Sequence, residues 1–470
     1  MATEILTIES GITAYTPSLN SIVRDSNGYL YALYTASNIV KLRKSTDNGE
    51  NWSDVSTDVF SKGSNFSEGI ITIKDDVIHI AANYYNSGTR KIYYRKFTIS
   101  TSTWGSVTDT GAVHNALQSI LIDSDDNIYV FYYDYYDTNY IKCRKYTSSW
   151  ADMNLAVAGA TGTIKTVIDS DDNIYAFFSN GSYLQYAVYN GTSWGSATNI
   201  VASRAIIDAV IDNDDNIYIV YRYSDTSKTY LCSKKWNGTS WGSEVSILNF
   251  YTSYSSIAYS VSLAIDKKGY LYLVYYWTYQ SSISENKFVY RRSTNGGSSW
   301  DSETLLVQAT SKSDWRGMVL NTGISGAYVP TEKFIHIFSN QQDYDMYLTL
   351  PDGLIWDTIT PTVTTQSCDQ IDKTSVRGNG NITDTGGENC TRRGFCYKVG
   401  TSGDPTVADS VAYDDGSFGT GAFTKSITGL SAGTSYRVRA YAVNSAGTSY
   451  GTTVDVKTLS SFIPRTMWFN

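Results

Sequence analysis

Aspartate is packed most densely into three near-identical strings, LIDSDDNIY at 121–129, VIDSDDNIY at 167–175 and VIDNDDNIY at 210–218. Carboxylates at this density could ligate calcium, but a helical calcium loop needs Gly at its sixth place and a distant bidentate Glu. Neither follows Asp123, Asp169 or Asp212. Asp and Asn also accept left-handed backbone and cap turns with their side chains, and the strings are read that way. Histidine occurs three times, at 79, 114 and 336; His79 and His336 share one alternating position of an Ile-His-Ile strand, with no second ligand at metal spacing. A Gly-rich phosphate loop is missing. The expectation is a protein that is no enzyme, without catalytic residues, metal or other cofactor.

Whatever chemistry exists must be positioned by strands. Forty Tyr, eleven Trp and fifteen Phe in a chain of 470 residues with only six Pro favour half-buried strands and tight turns. Weaker copies of the aspartate string at 22–31, 71–80, 263–272 and, degenerately, 328–337 (YVPTEKFIHI) bring the series to seven. Each reads as strand, polar turn, strand, which is a tight hairpin. Trp52, Trp104, Trp150, Trp194, Trp241, Trp300 and Trp356 follow the hairpins in turn, at a repeat of roughly 50 residues that suits four short strands per propeller blade. Four strands cannot bury both faces alone, whereas radial closure covers them. The expected fold class is all-β, a seven-bladed β-propeller over 1–359 with six blades as the alternative count, and residues near Glu4 to Ile8 completing the last blade.

The residues before two of these tryptophans carry a family resemblance. Ser45, Asp47, Gly49 and Trp52 in STDNGENW match the Asp-box pattern S-x-D-x-G-x-x-W, and Ser293, Asn295, Gly297 and Trp300 in STNGGSSW match it with Asn for Asp. The chain thus resembles Asp-box (BNR, sialidase-like) propellers, in which the box is a structural turn between third and fourth strands and its Trp packs between blades. A sialidase would further need three convergent Arg, a Tyr with a neighbouring Glu, an Asp, and a Phe/Tyr-Arg-Ile-Pro element near the start. Arg24, Arg43, Arg95, Arg144 and Arg291 fall in strands, where pairing and packing account for them, and the nearest string to the element is Phe462-Ile463-Pro464-Arg465 in the wrong order. A sialidase-like glycoside hydrolase is the alternative reading.

Residues 360–458 change in composition, and LSAGTSYRVRAYAVNSAG (430–447) resembles the end of a fibronectin type III module, Tyr436 being its tyrosine-corner residue and Val438, Ala440 and Ala442 pointing inward. TDTGGENCTRRGFCY (383–397) resembles the bacterial and phage variety, with Arg-Gly-Phe-Cys-Tyr as a strand. Residues 459–470 form an aromatic tail whose Phe462, Ile463, Trp468 and Phe469 are expected to dock on something. Of five Cys, Cys143 and Cys232 are read as equivalent small core residues of two repeats, and Cys368, Cys390 and Cys396 leave one disulfide open.

If the repeated hairpin is strands one and two, its turn and the Trp-bearing turn open on one face of the disc. The second-to-third strand loops and the links between blades open on the other, and these are rich in aromatics: Tyr84, Tyr85, Tyr140 and Tyr251, with Tyr135, Tyr136, Tyr223, Trp277, Tyr279 and Tyr254 as the candidate ligand-binding set. Aromatic faces stack on sugars and anchor interfaces.

A net charge of −8 with scattered Lys and Arg excludes a phosphate-backbone partner, so nucleic acid is not expected. No run is long enough to insert in a membrane, and residues 1–11 lack the features of an export signal. Propellers and such modules suit extracellular surfaces, and a particle assembled in a host cytoplasm and released by lysis would need no signal. The expected function is therefore a non-catalytic bacteriophage virion protein, structural or adhesive as in a tail fibre or head decoration. Its expected partners are other virion proteins and host-surface glycans, homo-oligomerisation being open. A non-viral extracellular scaffold or lectin is a further alternative.

Overall fold

A computed structural model describes residues 4–9, 15–16, 22–25, 29–46, 51–113, 115–134, 140–153, 155, 163–251, 261–266, 269–277, 287–308, 315–321, 335–340, 346–350, 360–386 and 389–461. The chain divides into two compact units, Met1–Leu354 and Ile355–Asn470. Both are built of strands, and no helix occurs among the described residues.

Among the described residues the first unit forms seven small antiparallel sheets, numbered in chain order. Sheet 1 holds Ile22–Arg24, Leu30–Ala36, Ile39–Ser45 and Ser53–Ser56, with Tyr15–Thr16 added at its edge; sheet 2 holds Phe66–Lys74, Val77–Asn86 and Thr89–Thr98, the last paired with Thr103–Trp104 and Thr108–Val113. Sheet 3 is Asn115–Ile122, Ile128–Asp134, Tyr140–Tyr146 and Trp150–Asp152, and sheet 4 is Ile164–Ile168, Ile174–Ser179, Tyr183–Tyr189 and Thr198–Ala202. Sheet 5 is Ala205–Ile211, Ile217–Ser224, Lys228–Trp236 and Val245–Tyr251, and sheet 6 is Val261–Ile265, Leu271–Trp277, Lys287–Ser293 and Thr304–Gln308. Sheet 7 takes Trp315–Asn321, Ile335–Asn340 and Met346–Leu350, and its fourth strand, Glu4–Glu9, comes from the start of the chain, with Glu4 opposite Leu350. Of the seventh copy read at 328–337, residues 335–337 belong to Ile335–Asn340, which pairs with Trp315–Asn321, and residues 328–334 lie outside the described residues.

The Asp-rich strings form the expected turns, and the bonds show why. Asp123 is buried and its carboxylate accepts from Asn127 N, Asn127 Nδ2 and Tyr129 Oη, each at 2.8 Å. Asp212 serves Asn216 N at 2.8 Å and Tyr218 Oη at 2.9 Å, and Asp266 serves Tyr270 N at 2.8 Å and Tyr272 Oη at 2.9 Å. Asp25 repeats the pattern with Tyr29 N and Tyr31 Oη. Inside the turns Asp126, Asp172 and Asp215 take φ of 64°, 62° and 59°, a left-handed conformation that Asp tolerates better than bulkier residues. The carboxylates are thus spent on their own hairpins and their neighbours, and no group of three or more metal-ligating side chains occurs among the described residues.

Apolar strand faces are buried between successive sheets. Leu33, Leu42, Ile71 and Ile80 fill the space between sheets 1 and 2, while Phe131, Ile141, Ile164 and Phe178 fill that between sheets 3 and 4. Trp150, Trp194 and Trp241 lie in these seams against the preceding sheet. Trp150 meets Tyr94, Trp194 meets Phe131 and Trp241 meets Phe177, all edge to face at 5.6–6.1 Å. Cys143 and Cys232 are both buried but are not equivalent: Cys143 stands opposite Phe131, three residues past Ile128, whereas Cys232 stands opposite Tyr221, four past Ile217. A one-residue offset reverses the face in a strand. Cys143 accordingly lies between sheets 3 and 4, and Cys232 between sheets 4 and 5.

The second unit is a sandwich. Thr362–Asp369, Ser375–Asp384 and Gly421–Thr428 make one sheet; Ser410–Phe418, Cys390–Val399 and Ser435–Asn444 make the other, with Gly447–Tyr450 and Val454–Lys457 both on Ser435–Asn444. Its core includes Phe395, Phe423, Val438, Ala440 and Ala442. A Cβ on Gly380 would lie 2.7 Å from the Phe423 ring, so that ring's seat requires glycine. Tyr436 Oη accepts from Ser431 N at 2.8 Å, tying the turn before the strand. All five cysteines are thiols, which answers the disulfide question for Cys368, Cys390 and Cys396.

Replacing Asp123 by Ala leaves the Tyr129 hydroxyl and the Asn127 donors without their acceptor and is expected to cost about 2–4 kcal/mol. Asp123→Asn should cost less; urea denaturation of both variants checks the order.

Candidate functional site

One cation in the third strand of each of five sheets is a brace. Arg43 donates to Trp52 O at 3.0 Å, Arg95 to Gly105 O at 2.8 Å, Arg144 to Trp150 O at 3.4 Å, Lys234 to Gly242 O at 2.7 Å and Arg291 to Asp301 O at 3.2 Å. Five sheets thus repeat one device, in which a third-strand cation holds a carbonyl at or just after the landmark Trp. Arg43, Arg95, Arg144 and Arg291 each hold the turn of their own sheet in this way, so they do not form a convergent carboxylate clamp.

The turns behave similarly. Ser293 Oγ accepts from Gly297 N at 2.9 Å and Asn295 Oδ1 accepts from Ser299 N at 2.9 Å, with Gly296 and Gly297 at φ 64° and 79°. Trp300 Nε1 reaches Ser233 Oγ of sheet 5 at 3.4 Å. Ser45 is buried at the equivalent place before Trp52, while Asp47 and Gly49 lie outside the described residues.

His79 is a core residue. It is buried with its Nδ1 2.8 Å from Tyr94 Oη. Burial, then Lys96 and Lys74, push its pKa down to about 4 against the opposing pull of Asp126.

Two groupings stand apart from these. The first is a tier along the first strands of sheets 3 to 6, four residues before the leading Asp of each turn: Ser119, Lys165, Asp208 and Ser262. Ser119 Oγ lies 2.6 Å from Thr166 Oγ1, Lys165 Nζ lies 3.2 Å from Asp208 Oδ1, and Asp208 Oδ2 accepts from Ser262 Oγ at 3.1 Å and from Leu263 N at 2.9 Å. A bulge between Ile206 and Asp208 lets this carboxylate, 9% exposed, reach sheets 4 and 6 at once. The repeat register aligns Lys165 with Asp208, a signal in the sequence that the reading of the turns does not use.

The second grouping is a stacked ladder at the end of sheet 5 bearing the second-to-third strand loop. The Arg204 guanidinium carbon sits 3.4 Å over the Tyr223 ring, and Tyr223 stacks on its cross-strand partner Tyr230 at 4.5 Å and 10°. Arg204 and Tyr230 cannot share one ring face at those distances, so Tyr223 has neither face left for a sugar and offers only its edge. Asp225 accepts from Tyr230 Oη at 3.0 Å and from Ser227 N and Lys228 N, and those backbone bonds hold its pKa down at about 2. Arg204 is held in turn by its Nη1 bond to Ala202 O and by Ser179 Oγ donating to Arg204 O.

Of the remaining candidate ligand-binding residues, Trp277 ends the strand Leu271–Trp277, and Tyr135, Tyr136, Tyr254 and Tyr279 lie outside the described residues, as do Phe462, Ile463, Trp468 and Phe469. Tyr85 is the exposed aromatic of the sheet 2 hairpin.

Neither a protein-family model nor a curated protein matches the chain. Among solved structures, one described as a new family of polysaccharide lyase, the PL25 ulvan lyase, is similar with a TM-score of 0.50 at 10% identity over 74% of this chain and 95% of that one. A PL25 ulvan lyase structure bound to -[GlcA(1-4)Rha3S]- gives 0.49 with the same identity and coverage, and polysaccharide lyase Uly1 gives 0.44 at 11% over 73% and 91%. At such identity the likeness is one of fold: an all-β, multi-sheet architecture resembling a propeller-like polysaccharide lyase. It overturns the expectation of a non-catalytic bacteriophage virion protein and of a chain that is no enzyme. The similar structures named above are polysaccharide lyases, and none of them is a virion protein. Missing metal, phosphate-loop and sialidase residue sets each argue only against their own chemistry, and none bears on a lyase.

Stability should depend on His79. Its folded pKa lies below the ordinary 6.5, so the unfolded state binds more protons between pH 6.5 and 4. The contribution is present above pH 6.5 and lost as pH falls through about 4, amounting to about 3 kcal/mol. Denaturation midpoints of the wild type and His79→Gln between pH 4 and 7 should show a shallower pH slope in the variant.

Proposed function

We propose that the seven sheets of the first unit close into a seven-bladed propeller of the Asp-box type, followed by a fibronectin type III-like module, and that the protein is a carbohydrate-active enzyme cleaving a polysaccharide. The observation carrying this reading is the likeness of fold to the PL25 ulvan lyase, which spans nearly all of that chain. The packing of Trp150, Trp194 and Trp241 against the preceding sheet and the entry of Glu4–Glu9 into sheet 7 support closure.

The substrate chain lies on the face that carries the second-to-third strand loops. Tyr135, Tyr136, Trp277, Tyr279 and Tyr254 belong to that face by sequence position, with Arg204 and the edge of Tyr223 beside them. A lyase breaks the C4–O bond of a uronate by removing the C5 proton, forms the C4=C5 double bond and returns a proton to the leaving oxygen. A cation that neutralises the carboxylate eases the first step. Arg204, pre-stacked on Tyr223, would take that role by exchanging Glu244, whose Oε2 lies 3.8 Å from its Nε, for the substrate carboxylate.

Purified full-length protein should release reducing ends from one or more acidic polysaccharides, with ultraviolet absorbance from the unsaturated product. Reducing ends without absorbance indicate hydrolysis, and no release across neutral and acidic polysaccharides overturns the enzyme reading. Arg204→Ala is expected to lower kcat/KM by roughly 10- to 100-fold while costing only about 1 kcal/mol of stability through the lost stack.

A further inference from the structure

The sandwich of the second unit leaves one end of its core open. Ile371, Val399 and Leu459 are 38%, 66% and 52% exposed, and all three belong to that end. Ile371 lies in the turn between Thr362–Asp369 and Ser375–Asp384, Val399 ends its strand, and Leu459 follows Val454–Lys457. Leu459 N donates to Asp372 O at 3.1 Å, which brings the last strand against that turn. Val399 stands opposite Tyr436, itself opposite Val456. Tyr436 and Val456 are core residues, so Val399 continues an inward-facing row past the point where the core ends. An apolar rim of three large side chains around a core opening is unfavourable in water unless covered.

We propose that residues 462–470 of this same chain dock on that end, seating Phe462, Ile463, Trp468 and Phe469 against Ile371, Val399 and Leu459. The chain reaches Leu459 at the rim itself, only three residues before Phe462. Nine residues extend up to about 30 Å, more than a sandwich end requires. The composition of the segment matches the surface, since FIPRTMWFN is apolar except for one Arg, one Thr and one Asn. The occupant is therefore the aromatic tail and not a second protein.

Hydrogen exchange on the full-length protein and on the chain lacking 462–470 tests this through the amides that tie the rim, Leu459 N to Asp372 O, Leu430 N to Thr374 O and Gly400 N to Ser435 O. Truncation should lower protection at these amides on the order of ten-fold and lower the melting temperature of the second unit. Val399→Asp should do the same in the full chain and add nothing further in the truncated one. Should truncation impair folding, the double substitution Trp468→Ser and Phe469→Ser replaces it. Unchanged exchange at the rim, or a change confined to the sheets of the first unit, overturns the proposal.

Discussion

A carboxylate buried at the head of a two-strand turn cannot be left without donors, and much of the first unit follows from how that demand is met. Asp25, Asp123, Asp212 and Asp266 each receive the amide four residues on and the tyrosine hydroxyl six residues on. Each such Asp fixes the length of its turn, the register of its hairpin and the inward seat of one Tyr. Burial and the adjoining carboxylate push the Tyr129 phenol well above its ordinary range, so the donor stays protonated. Neighbouring turns are then joined: Ser170 donates to Asp215 at 2.5 Å, Ser124 to Asp172, and Lys74 to Asp123 O and Ser124 O.

The sheets are stitched at a second level by the tier of Ser119, Lys165, Asp208 and Ser262. Here the cost of a buried charge decides the arrangement. Asp208 could not sit at 9% exposure without the ammonium, the hydroxyl and the amide that converge on it. Asn83 accepting from Leu117 N at 3.0 Å adds a neutral version of the same link between sheets 2 and 3. Polar bonds specify which sheet meets which, and the apolar seams supply most of the adhesion.

The repeats were legible because period-two alternation and turn chemistry are local. The strand-level reading of LIDSDDNIY needs nothing beyond its own nine residues. The role of Asp as hairpin staple followed from the same chemistry. Pairing partners far apart in sequence were harder. The strand Ile335–Asn340 finds its partner at 315–321, a pairing that the string at 328–337 does not display. Cys143 and Cys232 looked equivalent because both precede basic residues, whereas register is set by the strand opposite. Tyr223 looked like a stacking platform because nothing in its own strand shows that Arg204 and Tyr230 take both faces. Function was least legible, since a fold carries many chemistries and an absent motif excludes only its own.

The pairing of Glu4–Glu9 with Met346–Leu350 has a temporal side. A ribosome emits the first of these strands more than three hundred residues before the second. At 5–20 residues per second that interval is on the order of tens of seconds. Throughout it the first strand has no partner of its own and offers bare amides and carbonyls to any other edge within reach. Sheets 1 to 6 need only neighbours already made, so they form as synthesis proceeds, and sheet 7 waits. The step that completes the unit is therefore its last, set by translation speed and by whatever shields that strand in the meantime.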